Sequence, residues 1–76
     1  MQIAELKQEC AYVEYGNVCD SRGLYEEALD AYDRALRIFP EDADALFDKG
    51  ETLVKIGRQQ EATAHFAQAM QLYVGM

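Results

Sequence analysis

Shifted against itself by 34 residues, the sequence places Gly16 on Gly50, Gly23 on Gly57, Glu27 on Glu61, Ala28 on Ala62 and Ala35 on Ala69. Like residues coincide as well: Tyr12 with Leu46, Tyr32 with Phe66, Leu36 with Met70, Ile38 with Leu72, and Phe39 with Tyr73. A repeat of this length marks stacked supersecondary units, each too small to bury its own apolar face and completed by its neighbour. The frame divides the single domain, 1–76, into an N-terminal extension of the first helix (1–8), a first repeat (9–42) and a second (43–76).

Inside each repeat the apolar residues follow helical spacing. Tyr12, Tyr15, Gly16 and Cys19 fall on one face of a helix, as do Ala28, Tyr32, Ala35, Leu36 and Phe39 of the next. The second repeat does the same with Leu46, Gly50, Leu53 and Val54, then with Ala62, Phe66, Ala69, Met70 and Tyr73. Gly23 and Gly57 sit between the stripes, where glycine can take the positive φ that ends one helix and turns tightly into the next. Pro40 separates the repeats because it disfavours helix at Phe39. Asp42 then reads as an N-cap, with Asp44 in the first turn where the helix dipole favours an acid. The pattern predicts an all-α fold of four antiparallel helices, at about 2–21, 25–38, 43–56 and 59–73, forming two tandem hairpins.

These residues resemble the tetratricopeptide repeat family, whose pattern runs from an aromatic through leucine-glycine to tyrosine, alanine, phenylalanine and proline within 34 residues. Here it reads Tyr12, Tyr15-Gly16, Cys19, Ala28, Tyr32 and Pro40, and again Leu46, Lys49-Gly50, Leu53, Ala62 and Phe66. The structural positions are Gly16, Gly23, Ala28, Tyr32, Ala35 and Pro40, with Gly50, Gly57, Ala62, Phe66 and Ala69. Lys49 departs from the pattern by replacing an apolar residue, and Val74 stands where a second proline would be.

The resemblance implies a protein-interaction module without enzyme chemistry, in which the first helix of each hairpin lines a concave groove for an extended peptide or a helix. Carried onto this sequence, the groove would present Cys10, Val13, Glu14, Asn17, Asp20 and Ser21, then Asp44, Phe47, Asp48, Glu51, Val54 and Lys55. That face is acidic with two apolar footholds, Val13 and Phe47, and it implies a basic, partly apolar protein or peptide partner. Phe47 could equally be spent on packing against its neighbours. Family members that clamp a C-terminal carboxylate use basic residues and asparagines here. Asn17 matches one such position, but Val13 and Asp48 do not, and the acids of this face would repel the ligand.

Composition excludes other classes. Fourteen acids against seven bases give a net charge of −7 with no basic stripe, so nucleic acid is not an expected partner. No apolar run approaches the roughly 20 residues of a membrane span, and the N-terminus is not that of a secretory signal, so a cytoplasmic protein is expected. Cys10 and Cys19, nine residues apart on one helix, are too distant to bridge and read as reduced thiols. No cofactor is implied. His65 with Glu61 one turn back could make a two-point metal contact but reads better as a surface pair. The acids Glu41, Asp42 and Asp44 lack the glycine and terminal glutamate of a calcium loop.

Stacked arrays of this kind usually need about three repeats and a polar cap. With two, the last helix should expose Phe66, Met70 and Tyr73 where a third hairpin would pack, which predicts a homo-oligomer paired end to end or by exchange of a helix. The first eight residues, with Ile3 and Leu6, could instead fold back as a partial cap. A starting methionine and an ending without the repeat's proline favour a complete chain over a piece of a longer array.

Overall fold

The computed structural model describes residues 3–75, apart from the side chains of Ile3, Glu5 and Leu6. Four helices follow one another: α1 (Ile3–Ser21), α2 (Tyr25–Ile38), α3 (Ala43–Lys55) and α4 (Gln59–Val74). They are the predicted four, with ends displaced by a residue at most where the ends are described. Helices α1 and α2 form one hairpin, α3 and α4 the second, and α3 lies against α2 to join them. Helix α1 also touches α3, whereas α4 touches neither α1 nor α2 among the described residues. The expected folding back of the first eight residues on Ile3 and Leu6 lies outside the described side chains.

Both hairpin turns are built alike. After α1 the Gly23 N–H donates to the Asp20 carbonyl at 3.1 Å and the Leu24 N–H to the Cys19 carbonyl at 2.9 Å. After α3, Gly57 donates to Val54 at 3.0 Å and Arg58 to Leu53 at 2.9 Å. These paired bonds satisfy the last helical carbonyls only if the glycine is left-handed, and Gly23 and Gly57 have φ of +77° and +82°. Between the hairpins, Asp42 caps α3 by accepting the Ala45 N–H at 3.1 Å, as the sequence predicts.

The core follows the small-residue positions. Ala28, Ala35, Ala62 and Ala69 are fully covered, and Gly16 and Gly50 let an aromatic ring from the other helix of the hairpin lie flat on the backbone. A Cβ on Gly16 would stand 2.5 Å from the Tyr32 ring, and one on Gly50 would stand 2.6 Å from Phe66. Tyr32 is only 1% exposed and packs with Cys19 and Ala28. Leu29, Leu53 and Ala62 form the second cluster, with Ile56 and Phe66 against it.

The expected stripes need correction in several places: α3 also buries Ala43, Ala45 and Thr52, and Phe39 and Val54 are exposed. Helix α2 buries Leu29 and Ala31 in addition to its predicted stripe, because α1 packs on one side of it and α3 on the other. Tyr15, placed in the stripe of α1, is 53% exposed. Its equivalent, Lys49, turns toward the preceding hairpin and pairs with Asp33 at 2.6 Å.

Candidate functional site

Helices α1 and α3 carry the residues predicted to line a groove, and the structure divides them into two groups. Asp20 is committed to the protein itself. Its carboxylate accepts the Thr52 hydroxyl at 2.7 Å and the Lys55 ammonium at 2.5 Å, so the basic charge of Lys55 is neutralised across the hairpin joint. Asn17 is also engaged, since the Tyr32 hydroxyl donates to its Oδ1 at 2.6 Å while the rest of Asn17 remains exposed. The Ser21 hydroxyl returns to the Val18 carbonyl at 2.8 Å. Of these, the Asp20 bonds join the two hairpins, the Asn17 bond ties α1 to α2, and the Ser21 bond stays within α1.

The second group faces outward without such partners. Glu14, Glu51, Cys10 and Val54 are exposed, and Val13 is half-buried. Phe47 is 42% exposed, with its ring centroid 5.3 Å from that of Phe66 at an angle of 52°. It therefore packs on its neighbour and presents a face to solvent as well. Phe66 is correspondingly half-buried, which removes it from the fully exposed strip predicted for α4; Met70 at 63% and Tyr73 at 42% remain in that strip. Tyr73 is tied at its tip, because its hydroxyl donates to Asp44 at 2.5 Å. That bond, followed by burial, pushes the phenol up to about 12.

Acids crowd the middle of this surface. Asp48 is half-buried, and burial pushes its carboxyl up to about 6, helped by repulsion from Glu51 and Asp44 and opposed by a hydrogen bond from Asn17. A carboxyl that titrates at about 6 is mostly ionised at pH 7, and a cation brought beside it would draw that value back down.

Sequence reasoning overlooked Glu9. Although charged, it is only 2% exposed, and its Oε1 has no hydrogen-bond partner. Burial pushes its carboxyl up to about 7, with Asp42 within hydrogen-bonding reach adding to the effect. A signal existed, for Glu9 heads the first repeat where the second has Ala43, a small residue that is 4% exposed. Together with Cys10, Val13, Glu14, Asp42 and Asp44, Glu9 lines a cavity of about 230 Å³ at the end of the α1–α3 surface.

Glu61 is engaged by Arg58 at 2.8 Å, which takes it from His65, and burial with the nearby Lys49 charge holds the imidazole below its ordinary range. Among the described residues no three His, Cys, Asp or Glu side chains are grouped to hold a metal ion. Cys10 and Cys19 are free thiols, one exposed and one buried. No described helix is long and apolar enough to cross a membrane.

What remains is a two-hairpin scaffold with one helix of each hairpin turned to a common acidic surface. Among curated proteins, none matches the sequence. A family model described as tetratricopeptide repeat matches residues 7–73. With the match covering nearly the whole chain, and the glycine turns and small-residue contacts recurring in both hairpins, the protein belongs to the tetratricopeptide repeat family.

Proposed function

We propose that the chain is a protein-interaction module that receives a basic, partly apolar peptide or helix across α1 and α3. The observation that carries this reading is the sorting of charge on that surface. Lys55, the base among the predicted groove residues, is already paired to Asp20, while among the described residues Glu14, Asp48 and Glu51 form no salt bridge. Phe47 and Val13 supply apolar contact between them, and a half-exposed phenylalanine flanked by acids suits a ligand that alternates cationic and apolar side chains.

The test is fluorescence polarisation with a labelled peptide alternating Lys and Leu, and with one of equal length alternating Glu and Leu. Only the basic peptide is expected to bind, more weakly as salt rises. Phe47→Ala is expected to weaken it about tenfold, and Asp48→Lys more, at unchanged helicity. Equal binding of the two peptides, or binding indifferent to both substitutions, would remove the groove reading.

A further inference from the structure

The joint inside the chain is stitched by charge. Where α3 meets the first hairpin, Lys49 reaches Asp33 at 2.6 Å, and Thr52 and Lys55 both bond Asp20, at 2.7 and 2.5 Å. Arg58 shares a cleft of about 330 Å³ with Glu26, Asp30 and Asp33. In the two ion pairs that cross the joint the base comes from the second hairpin and the acid from the first, while Arg58 is held by Glu61 of its own hairpin.

The 34-residue period carries each of these contacts to the two free ends. On the leading face, Lys49 becomes Tyr15, Thr52 becomes Val18, Lys55 becomes Ser21 and Arg58 becomes Leu24. On the trailing face, Asp33 becomes Ala67, Asp20 becomes Val54, and Glu26 and Asp30 become Gln60 and Ala64. All of these end residues are exposed: Tyr15 at 53%, Val18 at 47%, Leu24 at 43% and Val54 at 41%, with Ala67, Gln60, Ala64 and Ser21 open as well. Charge is thus missing from both sides of each contact at once. Had it been lost from one side alone, stacking would strand an unpaired charge in the joint, which is strongly unfavourable. The same difference keeps an end from displacing the internal joint, since Tyr15 cannot answer Asp33 nor Val54 answer Lys55.

We propose that the leading face of one copy packs on the trailing face of the next in the register of the internal joint, continuing the stack of hairpins from chain to chain. The occupant of each end is the other end of a second copy, because at the ion-pair positions Lys49–Asp33 and Lys55–Asp20 the two ends have lost base and acid together. The two faces differ, so the contact is heterologous, and nothing in it closes a dimer; it builds open rows that lengthen with concentration. Two places oppose the joint: Glu14 would meet Glu51, where inside the chain Asp48 meets Asn17, and the apolar cluster of Leu29 and Ile56 would be replaced by Thr63 and Arg22. The ends share Glu14, Glu51 and Val54 with the α1–α3 surface, whereas Tyr15 and Ala67 lie outside it and separate stacking from peptide binding.

Sedimentation of the full chain up to about 1 mM tests it, with helicity followed in parallel. The mass of the wild type should rise steadily with concentration. Tyr15→Lys or Ala67→Asp alone should leave a folded monomer, and mixing the two variants should restore association by recreating the Lys49–Asp33 pair between chains. Glu51→Asn should tighten the wild-type association about threefold, by removing one like-charge contact. A wild type that stays monomeric overturns the proposal and leaves the ends to a foreign partner or a further hairpin. Association that survives both single substitutions, or that mixing fails to restore, overturns the register.

Discussion

Tyr32 and Phe66 occupy equivalent places in the two hairpins, each lying on a glycine of the preceding helix, yet their surroundings differ on the outer side. Helix α3 covers Tyr32, and Asn17 accepts its hydroxyl at 2.6 Å, so the ring has one position available. Phe66 packs on Gly50 and on the cluster of Leu29, Leu53 and Ala62, but on its outer side it meets Phe47, 5.3 Å away and itself 42% exposed. The same divergence runs along the helices: Leu36 is half-buried, while its equivalent Met70 is 63% exposed. A hairpin of this family is therefore finished by the hairpin that follows it, and identical local rules yield a rigid unit in one place and a looser one in the other.

The comparison can be broken by truncating the two rings. Tyr32→Ala is expected to cost about 4 kcal/mol and Phe66→Ala about 2 kcal/mol in urea unfolding, because only the first leaves an enclosed cavity. Equal costs would mean that the uncovered hairpin is as tightly packed as the covered one. The glycines sharpen the same point. Gly16→Ala forces a methyl into a ring that cannot yield and should cost about 2 kcal/mol, whereas at Gly50 the Phe66 ring can swing outward and the cost should stay near 1 kcal/mol.

The smallest effect concerns pH. An acid whose carboxyl titrates higher in the folded chain than in the unfolded one binds its proton more readily when folded, so stability falls as pH rises between the two values. Glu9, raised from 4.5 to about 7, and Asp48, raised from 3.8 to about 6, both act in that sense. His65, lowered from 6.5 by burial, acts in the opposite one, since protonating it favours unfolding as pH drops. Two carboxyls against one imidazole should make the chain more stable near pH 5.5 than at pH 7.5. Glu9→Gln should flatten that slope and raise stability at pH 7.5 by about 1 kcal/mol, read from thermal unfolding at the two pH values. An unchanged slope would mean that Glu9 finds solvent in the first hairpin.

Helix ends were the most legible part of the sequence, because Gly23, Gly57, Pro40 and Asp42 act on the backbone within a few residues of themselves. Burial was legible only as far as each helix has one neighbour. It failed for α2, which has two, and for Tyr15, which has none on its outer side. The candidate surface was the least legible. Asp20 and Lys55 have the spacing of groove residues, but they meet each other across 35 positions, and that partnership depends on how the hairpins dock. Glu9 looked like any surface acid until the docking of α3 brought Asp42 against it.

The order of contacts, in which α4 reaches neither α1 nor α2, bears on how the chain comes apart as well as on how it stands. Every helix is recruited by the one just before it in sequence, so loops to be closed are short and folding should be fast. Loss of structure then has a direction. Opening α4 uncovers α3 and the cluster around Leu29, whereas opening α2 abandons both hairpins, so amide exchange should begin at the C-terminal helix and reach the Tyr32 layer last.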